Sequence, residues 1–360
     1  MKQCYVLLAQ LDIKSLIMNT KVAPKEPLNN CKKKSVDIKA SRPKKVRNNG
    51  KIPTIVEQLS QKFNTEYVPP KISELSQVNF FFNKAEVKFE WSAPTFNDIP
   101  GEKIRRLMEK RQQSLQAIRD EESEFIASTR LASNVKPTQA IETESTQNYN
   151  PQKMYQGKTE GIPFELINQL PEVAFLGRCN SGKSTLLNNL TTEVTKNNLD
   201  EYANASKKAG FTKTINCFNV GRRFRIIDTP GYGTKGTVEQ GKVTMDYLLK
   251  RRELRRSFLL ISANQGFSEY DAQMIDLLVG DGIPFEIVFT KMDTIKEMAQ
   301  VERVIEESNV LQLPTSPRFI FLNSVTNKQC QKRSGIEILR YVIFEACGLA
   351  PGMKPSKLKK

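Results

Sequence analysis

The sequence predicts an α/β fold: a mixed, mostly parallel six-stranded sheet with helices on both faces, preceded by a long N-terminal extension. Apolar runs of strand length recur through the second half of the chain, and four of them end at polar segments. Open sheets of this class bind ligands at the carboxyl ends of their strands. We expect strands near 172–177, 215–220, 223–228, 257–262, 285–290 and 318–323, with a hairpin across Gly221.

The first polar segment has the pattern G-x-x-x-x-G-K-S. It comprises Gly177, Arg178, Cys179, Asn180, Ser181, Gly182, Lys183 and Ser184, and Thr185 opens an apolar run that suits a helix. This strand–loop–helix context is the one that a phosphate-binding loop needs. The loop N–H groups would face the phosphates, Lys183 would reach the terminal phosphates, and the Ser184 hydroxyl would bind Mg²⁺. The alternative is a chance match in a glycine-rich loop.

The pattern D-x-x-G follows the third expected strand, from Asp228 to Gly231. The Asp228 carboxylate would hold a Mg²⁺-bound water, and the Gly231 N–H could contact a γ-phosphate and lose that contact on hydrolysis. Ras-type enzymes carry a water-positioning glutamine after this glycine, whereas this chain has Tyr232. We therefore expect slow intrinsic hydrolysis.

Two further segments predict recognition of guanine. Thr290, Lys291 and Asp293 form T-K-x-D after one strand, and Asn323 and Ser324 follow another. The Asp293 carboxylate can accept two N–H bonds from guanine, a donor pair that adenine lacks, so such a site rejects adenine. A backbone N–H at Asn323-Ser324 can bond guanine O6. Each motif alone is weak, but four in this order predict a GTPase.

These segments resemble the EngB (YihA/YsxC) family of ribosome-assembly GTPases, in the Era/TrmE-like branch. The resemblance is carried by PEVAFLGRCNSGKSTLLN at 171–188 and by the segments 210–216, 228–233 and 281–293, and Phe82 to Ala85 are similar to the family's lead-in. It implies GTP and GDP as ligands, Mg²⁺ as the metal, and a monomer. It also implies the rRNA and proteins of a large ribosomal subunit as partners, and we interpret the chain as a fungal mitochondrial member.

The same resemblance implies roles for single residues. Thr212 falls on the switch threonine that ligates Mg²⁺ in the GTP state, so we expect Lys183, Thr212 and Gly231 to act on the phosphates during hydrolysis. Asn180 matches an asparagine that can ligate a K⁺ ion in this branch, where the ion does the work of an arginine finger. A brace for the loop is the alternative role of Asn180.

Composition limits the chemistry. The 360 residues include six cysteines without metal-ligand spacing and no histidine, which excludes histidine-based catalysis. Phosphoryl transfer remains compatible, because it needs positioning and charge rather than a strong base. No apolar run approaches the roughly 20 residues that span a bilayer. Scattered cysteines fit a reducing compartment.

The net charge of +16 is concentrated at the ends of the chain. Residues 1–51 carry +10 and residues 354–360 carry +4, which leaves +2 for residues 52–353. Basic arms of this kind suit nucleic acid or targeting. Residues 1–18 alternate apolar and polar ahead of a lysine-rich stretch, which is compatible with a transit peptide to the mitochondrial matrix. A nuclear or nucleolar signal and a plain disordered tail are the alternatives.

We expect six regions along the chain. They are a basic, largely disordered region at 1–70, a lead-in at 71–101, an amphipathic helix at 102–127, a flexible linker at 128–165, the GTPase domain at 166–350 and a basic tail at 351–360. The helix would pack on the GTPase domain or dock on the ribosome. The basic run at 250–256 indicates a phosphate-backbone patch or a solvated helix end.

The function predicted from these features is a GTP-hydrolysing switch for large-subunit assembly or translation. The alternatives are an RNA- or ribosome-tethering factor with little hydrolysis and a nuclear or nucleolar GTPase.

Overall fold

The computed structural model describes residues 54–132, 164–193, 199, 213–233, 236–324 and 333–356. In this part of the chain, seven strands form one sheet. They are β1 (Val87–Ala93), β2 (Glu172–Gly177), β3 (Ile215–Val220), β4 (Phe224–Asp228), β5 (Leu254–Ser262), β6 (Phe285–Thr290) and β7 (Phe319–Phe321). Their order across the sheet is β1-β3-β4-β2-β5-β6-β7, and the five strands from β4 to β7 in this order are parallel. The carboxyl ends of β2, β4, β6 and β7 therefore meet at one edge.

The strand β1 corrects the predicted count of six. It lies in the lead-in and pairs antiparallel with β3, from Val87 opposite Val220 to Ala93 opposite Ile215. Trp91 and Ala93 are buried, so β1 both covers the edge of β3 and extends the core. The predicted hairpin between β3 and β4 is present, and the chain reverses at Gly221, where φ is 57°.

Helices cover both faces of the sheet. They are α1 (Ile55–Phe63), α2 (Ile72–Lys84), α3 (Pro100–Ala132), α4 (Phe164–Ile167), α5 (Lys183–Thr191), α6 (Val238–Lys250), α7 (Glu269–Gly280), α8 (Met298–Glu307) and α9 (Ile336–Ala346). Apolar residues of α1, α6, α7 and α8 pack on one face, and those of α2, α5 and α9 pack on the other. None of the helices within the described ranges has the length and apolar character needed to cross a membrane.

Helix α1 gives defined structure to a part of 1–70, the region expected to be largely disordered. Thr54 and Glu57 form a capping box at its start, and apolar residues recur on one face, so that Leu59 is fully buried and Phe63 contacts Phe319. A cap followed by an apolar face is what a stable surface helix requires. The body of the domain therefore includes residues well before 166.

Only the start of the long helix α3 packs on the domain. Glu102 and Ile104 are buried, whereas every residue from 116 to 128 is exposed. Glu102 accepts a hydrogen bond of 2.7 Å from Arg251 Nη1, and Arg105 pairs with both Glu102 and Glu253. An ionic cluster thus holds the first turns of the helix against the domain.

The basic run at 250–256 is partly internal, which bears on its interpretation as a phosphate-backbone patch or a solvated helix end. Arg251 is 7% exposed, and its guanidinium forms two hydrogen bonds to Glu172, of 2.8 and 2.6 Å. Arg256 pairs with the buried Glu286. Two of the arginines that a nucleic-acid patch would need are therefore committed to carboxylates inside the protein.

Candidate nucleotide-binding site

The loop between β2 and α5 has the backbone of a phosphate-binding loop. Gly177 ends β2 with φ at 152°, and a Cβ there would lie 2.5 Å from Ser181 Oγ and 2.8 Å from the Leu260 carbonyl oxygen, so only glycine fits. Gly182 forms the N-cap of α5 in the left-handed region. The loop from Arg178 to Ser181 therefore turns directly into the N-terminus of a helix, which favours an anion. Thr185 lies in the first turn and is half-buried.

Lys183 lies where a terminal phosphate would need a cation. Its ammonium is buried and donates to the carbonyl oxygens of Gly177 at 2.8 Å and Arg178 at 3.1 Å. Burial lowers the pKa of Lys183, and the charge of Asp228 opposes that shift. An ammonium held by neutral carbonyls can turn to phosphate oxygens without breaking an ion pair.

Asp228 and Ser184 provide a donor set for a hard cation. Ser184 Oγ donates to Asp228 Oδ2 at 2.9 Å, while Asp228 Oδ1 is buried without a hydrogen-bond partner among the described residues. Burial raises the pKa of Asp228, although Lys183 and Ser184 act in the opposite direction. A buried polar atom without a partner needs an explanation. Mg²⁺ held directly by Ser184 and through water by Asp228 fits these residues, and when bound it would neutralise phosphate charge.

The D-x-x-G segment lies directly against the phosphate loop. A Cβ on Gly231 would be 2.9 Å from the backbone of Cys179, so glycine is required there. The Cys179 N–H donates to the Tyr232 carbonyl at 3.2 Å, and the Tyr232 N–H donates to the Gly177 carbonyl at 3.4 Å. The two segments that would face the β- and γ-phosphates are thereby joined by backbone hydrogen bonds.

The two segments predicted to recognise guanine lie side by side. The Met292 N–H donates to the Leu322 carbonyl at 3.1 Å, which brings the half-buried Asp293 near Asn323 and Ser324. Asn323 is buried, and its backbone exchanges hydrogen bonds of 3.1 and 3.2 Å with Ser334. An antiparallel bridge to Ser334 therefore holds the backbone of Asn323 two residues after the end of β7.

The guanine segments are also joined to the phosphate loop. Thr290 Oγ1 donates to the Ser181 carbonyl at 2.7 Å, and Lys291 Nζ donates to the Asn180 carbonyl at 2.9 Å. Asn180 has a positive φ of 66° and an exposed side chain. The structure thus brings together every predicted site residue except Thr212, which lies outside the described residues.

Asp271 is a residue of this site that the sequence reasoning missed. It is fully buried at the start of α7, and it binds Arg178 of the phosphate loop and Tyr232 of the D-x-x-G segment. The available signal was Ser268-x-x-Asp271 ahead of an apolar run, which is the pattern of a capping box. That pattern predicts a helix start and does not predict contacts with distant loops.

Comparisons with known proteins identify relatives of this chain. A family model described as a 50S ribosome-binding GTPase matches residues 172–291. MIOREX complex component 8 of Saccharomyces cerevisiae is 38% identical over 340 residues, which are 94% of this chain and 95% of that protein. A probable GTP-binding protein EngB of Solibacter usitatus is 36% identical over 167 residues, 44% of this chain and 83% of that protein. A crystal structure of a probable GTP-binding protein engB has 23% identity and a TM-score of 0.36, and covers 49% of this chain and 98% of that chain.

The regions of similarity coincide with the site. The family model spans the phosphate loop, the D-x-x-G segment and the beginning of T-K-x-D, and the bacterial relative is matched over most of its length. The sheet and the phosphate loop are those of a P-loop GTPase. The chain belongs to the EngB family of GTP-binding proteins.

Proposed function

We propose that this protein is a GTP-hydrolysing switch that assists the assembly of the large ribosomal subunit, or translation, in mitochondria. The observation that carries the proposal is the bonding of the guanine segment to the phosphate loop, through Thr290 to Ser181 at 2.7 Å and Lys291 to Asn180 at 2.9 Å. Base and phosphates would be held by one preorganised unit, which favours tight and selective binding of the nucleotide.

The ribosomal partner is supported by charge and by similarity. The matched family is described as binding the 50S ribosome. The two ends of the chain carry +10 and +4, and such arms attract rRNA over long range. Residues 1–18 are compatible with mitochondrial import, and the alternative is a nuclear or nucleolar address. We expect a deletion of 1–51 to keep GTP binding and to lose the wild-type location of a fluorescent fusion.

Sedimentation through a gradient tests the partner. Tagged protein with a non-hydrolysable GTP analogue and Mg²⁺ should migrate with large ribosomal subunits from mitochondria, and GDP should return it to the top of the gradient. The matched control is Asp293→Asn with the same GTP analogue. This substitution changes the contact with the base and leaves the charged surface patches as they are. Migration at the top with both nucleotides would contradict the ribosomal part of the proposal.

Intrinsic hydrolysis is proposed to be slow and to rise on the ribosome. Lys183, Thr212 and Gly231 are the residues proposed to act on the phosphates. Tyr232 occupies the position after Gly231, and its hydroxyl donates to Asp271 at 2.7 Å, so it is engaged away from an attacking water. The same observation favours a second candidate function, a ribosome-tethering factor with little hydrolysis. The switch is supported if ribosomal subunits stimulate multiple-turnover phosphate release. The tether is supported if no phosphate is released with or without subunits.

A further inference from the structure

Asp271 joins two loops that meet beside the expected terminal phosphates. Its carboxylate is 0% exposed. Tyr232 Oη donates to Asp271 Oδ1 at 2.7 Å, and Arg178 Nε forms an ion pair with Asp271 Oδ2 at 3.0 Å. Burial, and then the Asp271 charge, raises the pKa of Tyr232 well above its ordinary value, so the hydroxyl stays a donor. We call these three residues the Asp271 latch.

Helix capping does not account for the latch. Ser268 and Asp271 form a capping box at α7, and Thr54 and Glu57 form the same device at α1. Glu57 is exposed and bonds to its own cap residue. Asp271 is buried and also bonds two loops that are distant in sequence. A cap needs neither the tyrosine nor the arginine.

The latch lies on a rigid support. Helix α7 is fixed to the sheet by the buried Ile275 and Leu278, and Arg178 Nη2 also donates to the Gly266 carbonyl at 2.6 Å in the segment that leads into α7. The Tyr232 side chain is therefore held by an element that does not belong to either loop. Because Gly231 immediately precedes Tyr232, the latch also limits where the Gly231 N–H can lie.

We propose that Asp271 is a positioning residue that holds the D-x-x-G segment against the phosphate loop and thereby favours GTP over GDP. The inference rests on the proposed function of the same site. Ordering the Gly231 N–H toward a γ-phosphate costs conformational entropy, and a segment that is already held in place has less entropy to lose. GDP has no γ-phosphate, so its affinity does not depend on the contact made by the Gly231 N–H.

Tyr232→Phe tests the latch, because it removes one hydroxyl and keeps the ring. A hydrogen bond to a charged group is strong enough to change an equilibrium by about tenfold or more. We expect the ratio of GTP-analogue affinity to GDP affinity to fall about tenfold, with GDP affinity changed less than twofold. Tyr247→Phe is the matched control, since Tyr247 Oη also donates to a buried carboxylate, Glu172, at 2.7 Å, near the amino end of β2. That variant should leave the ratio unchanged.

Amide hydrogen exchange in the nucleotide-free protein provides a second readout that needs no ligand. Exchange at residues 229–233 should be faster in Tyr232→Phe than in wild type and unchanged in Tyr247→Phe. An unchanged affinity ratio, equal losses for GTP and GDP, or unchanged exchange would overturn the latch. Wild-type protein that fails to prefer guanine over adenine nucleotides would instead overturn the proposed function, and the exchange result would still decide whether the latch exists.

Discussion

Replacing Arg251 with methionine tests whether the basic run at 250–256 serves the fold or binds RNA. Arg251 donates to Glu172 through two nitrogens, at 2.8 and 2.6 Å, and to Glu102 at 2.7 Å. Methionine retains much of the aliphatic length but removes all three of these bonds, which leaves Glu172 with Arg225 at 3.7 Å and Glu102 with Arg105 as their remaining cations. Removing one partner of a buried ion pair costs about 3–5 kcal/mol. For a domain of this size, 1 kcal/mol shifts Tm by about 2–4 °C, so the loss should be about 6–20 °C.

The assay is thermal unfolding of nucleotide-free protein followed by circular dichroism, with RNA binding measured in parallel. Arg252→Met is the matched control: it is adjacent, equally basic and exposed, so its effect should stay within about 0.5 kcal/mol. A Tm for Arg251→Met within about 3 °C of wild type would refute the structural interpretation. Loss of RNA binding in both variants with unchanged Tm would restore the phosphate-backbone patch.

Four further predictions concern the nucleotide site and its support. Asp293→Asn should weaken GTP binding sharply and improve binding of xanthine nucleotides, because the asparagine amide can donate to the xanthine carbonyl that replaces an N–H donor of guanine. If the variant binds GTP with wild-type affinity in a competition assay, the guanine pocket is contradicted. Burial raises the pKa of Asp228, and this carboxylate is proposed to hold a Mg²⁺-bound water, so Mg²⁺ affinity measured by calorimetry should fall with decreasing pH sooner than for an ordinary aspartate of pKa about 3.9; a fall that follows the ordinary pKa would contradict the buried site. Hydrolysis should run faster in KCl than in NaCl at equal ionic strength, and Asn180→Ala should remove the difference; equal rates would leave Asn180 a loop brace. Arg340→Met should destabilise the domain by about 1–3 kcal/mol in urea unfolding, because Arg340 is 0% exposed and its guanidinium binds the carbonyls that end α5, at Leu190 and Thr192, which the substitution leaves without this donor; a change under about 0.5 kcal/mol would show that the cap is dispensable.

The placement of the motifs at one edge of the sheet was predictable because each motif is local in sequence. Each motif follows directly after an apolar strand, so Asp228 and Asp293 could be assigned to the same edge of the sheet from the order of the segments alone. The motif requires glycines because the backbone at those positions has a positive φ, as it has at both glycines of this phosphate loop. Nothing in these assignments needed a partner far along the chain.

The parts that the sequence did not predict depend on partners far along the chain. Strand β1 pairs with β3 more than 120 residues later, and its alternating pattern does not reveal the partner. Arginine is a residue type that usually lies at the surface. Arg251 and Arg340 are buried because other elements contribute the carboxylates and carbonyls that their guanidinium groups bind. Helix α1 is the exception, since its capping box was visible at Thr54 and Glu57. The basic composition of residues 1–51, which precede it, outweighed that local signal.

Two buried carboxylates at opposite edges of the same sheet show the difference between a charge that stabilises the fold and a charge that is available to a ligand. Glu172 opens β2, and both of its oxygens are bonded: one by Arg251, and the other by Arg251 and Tyr247. Asp228 ends the neighbouring strand β4, where one oxygen is bonded by Ser184 and the other has no partner in the described part of the chain. Burial of a charge costs free energy unless a partner compensates for it. The protein supplies that partner itself at the amino end of β2, whereas at the carboxyl end of β4 it leaves an oxygen and the carbonyl-bound Lys183 for a bound cation and phosphate to satisfy.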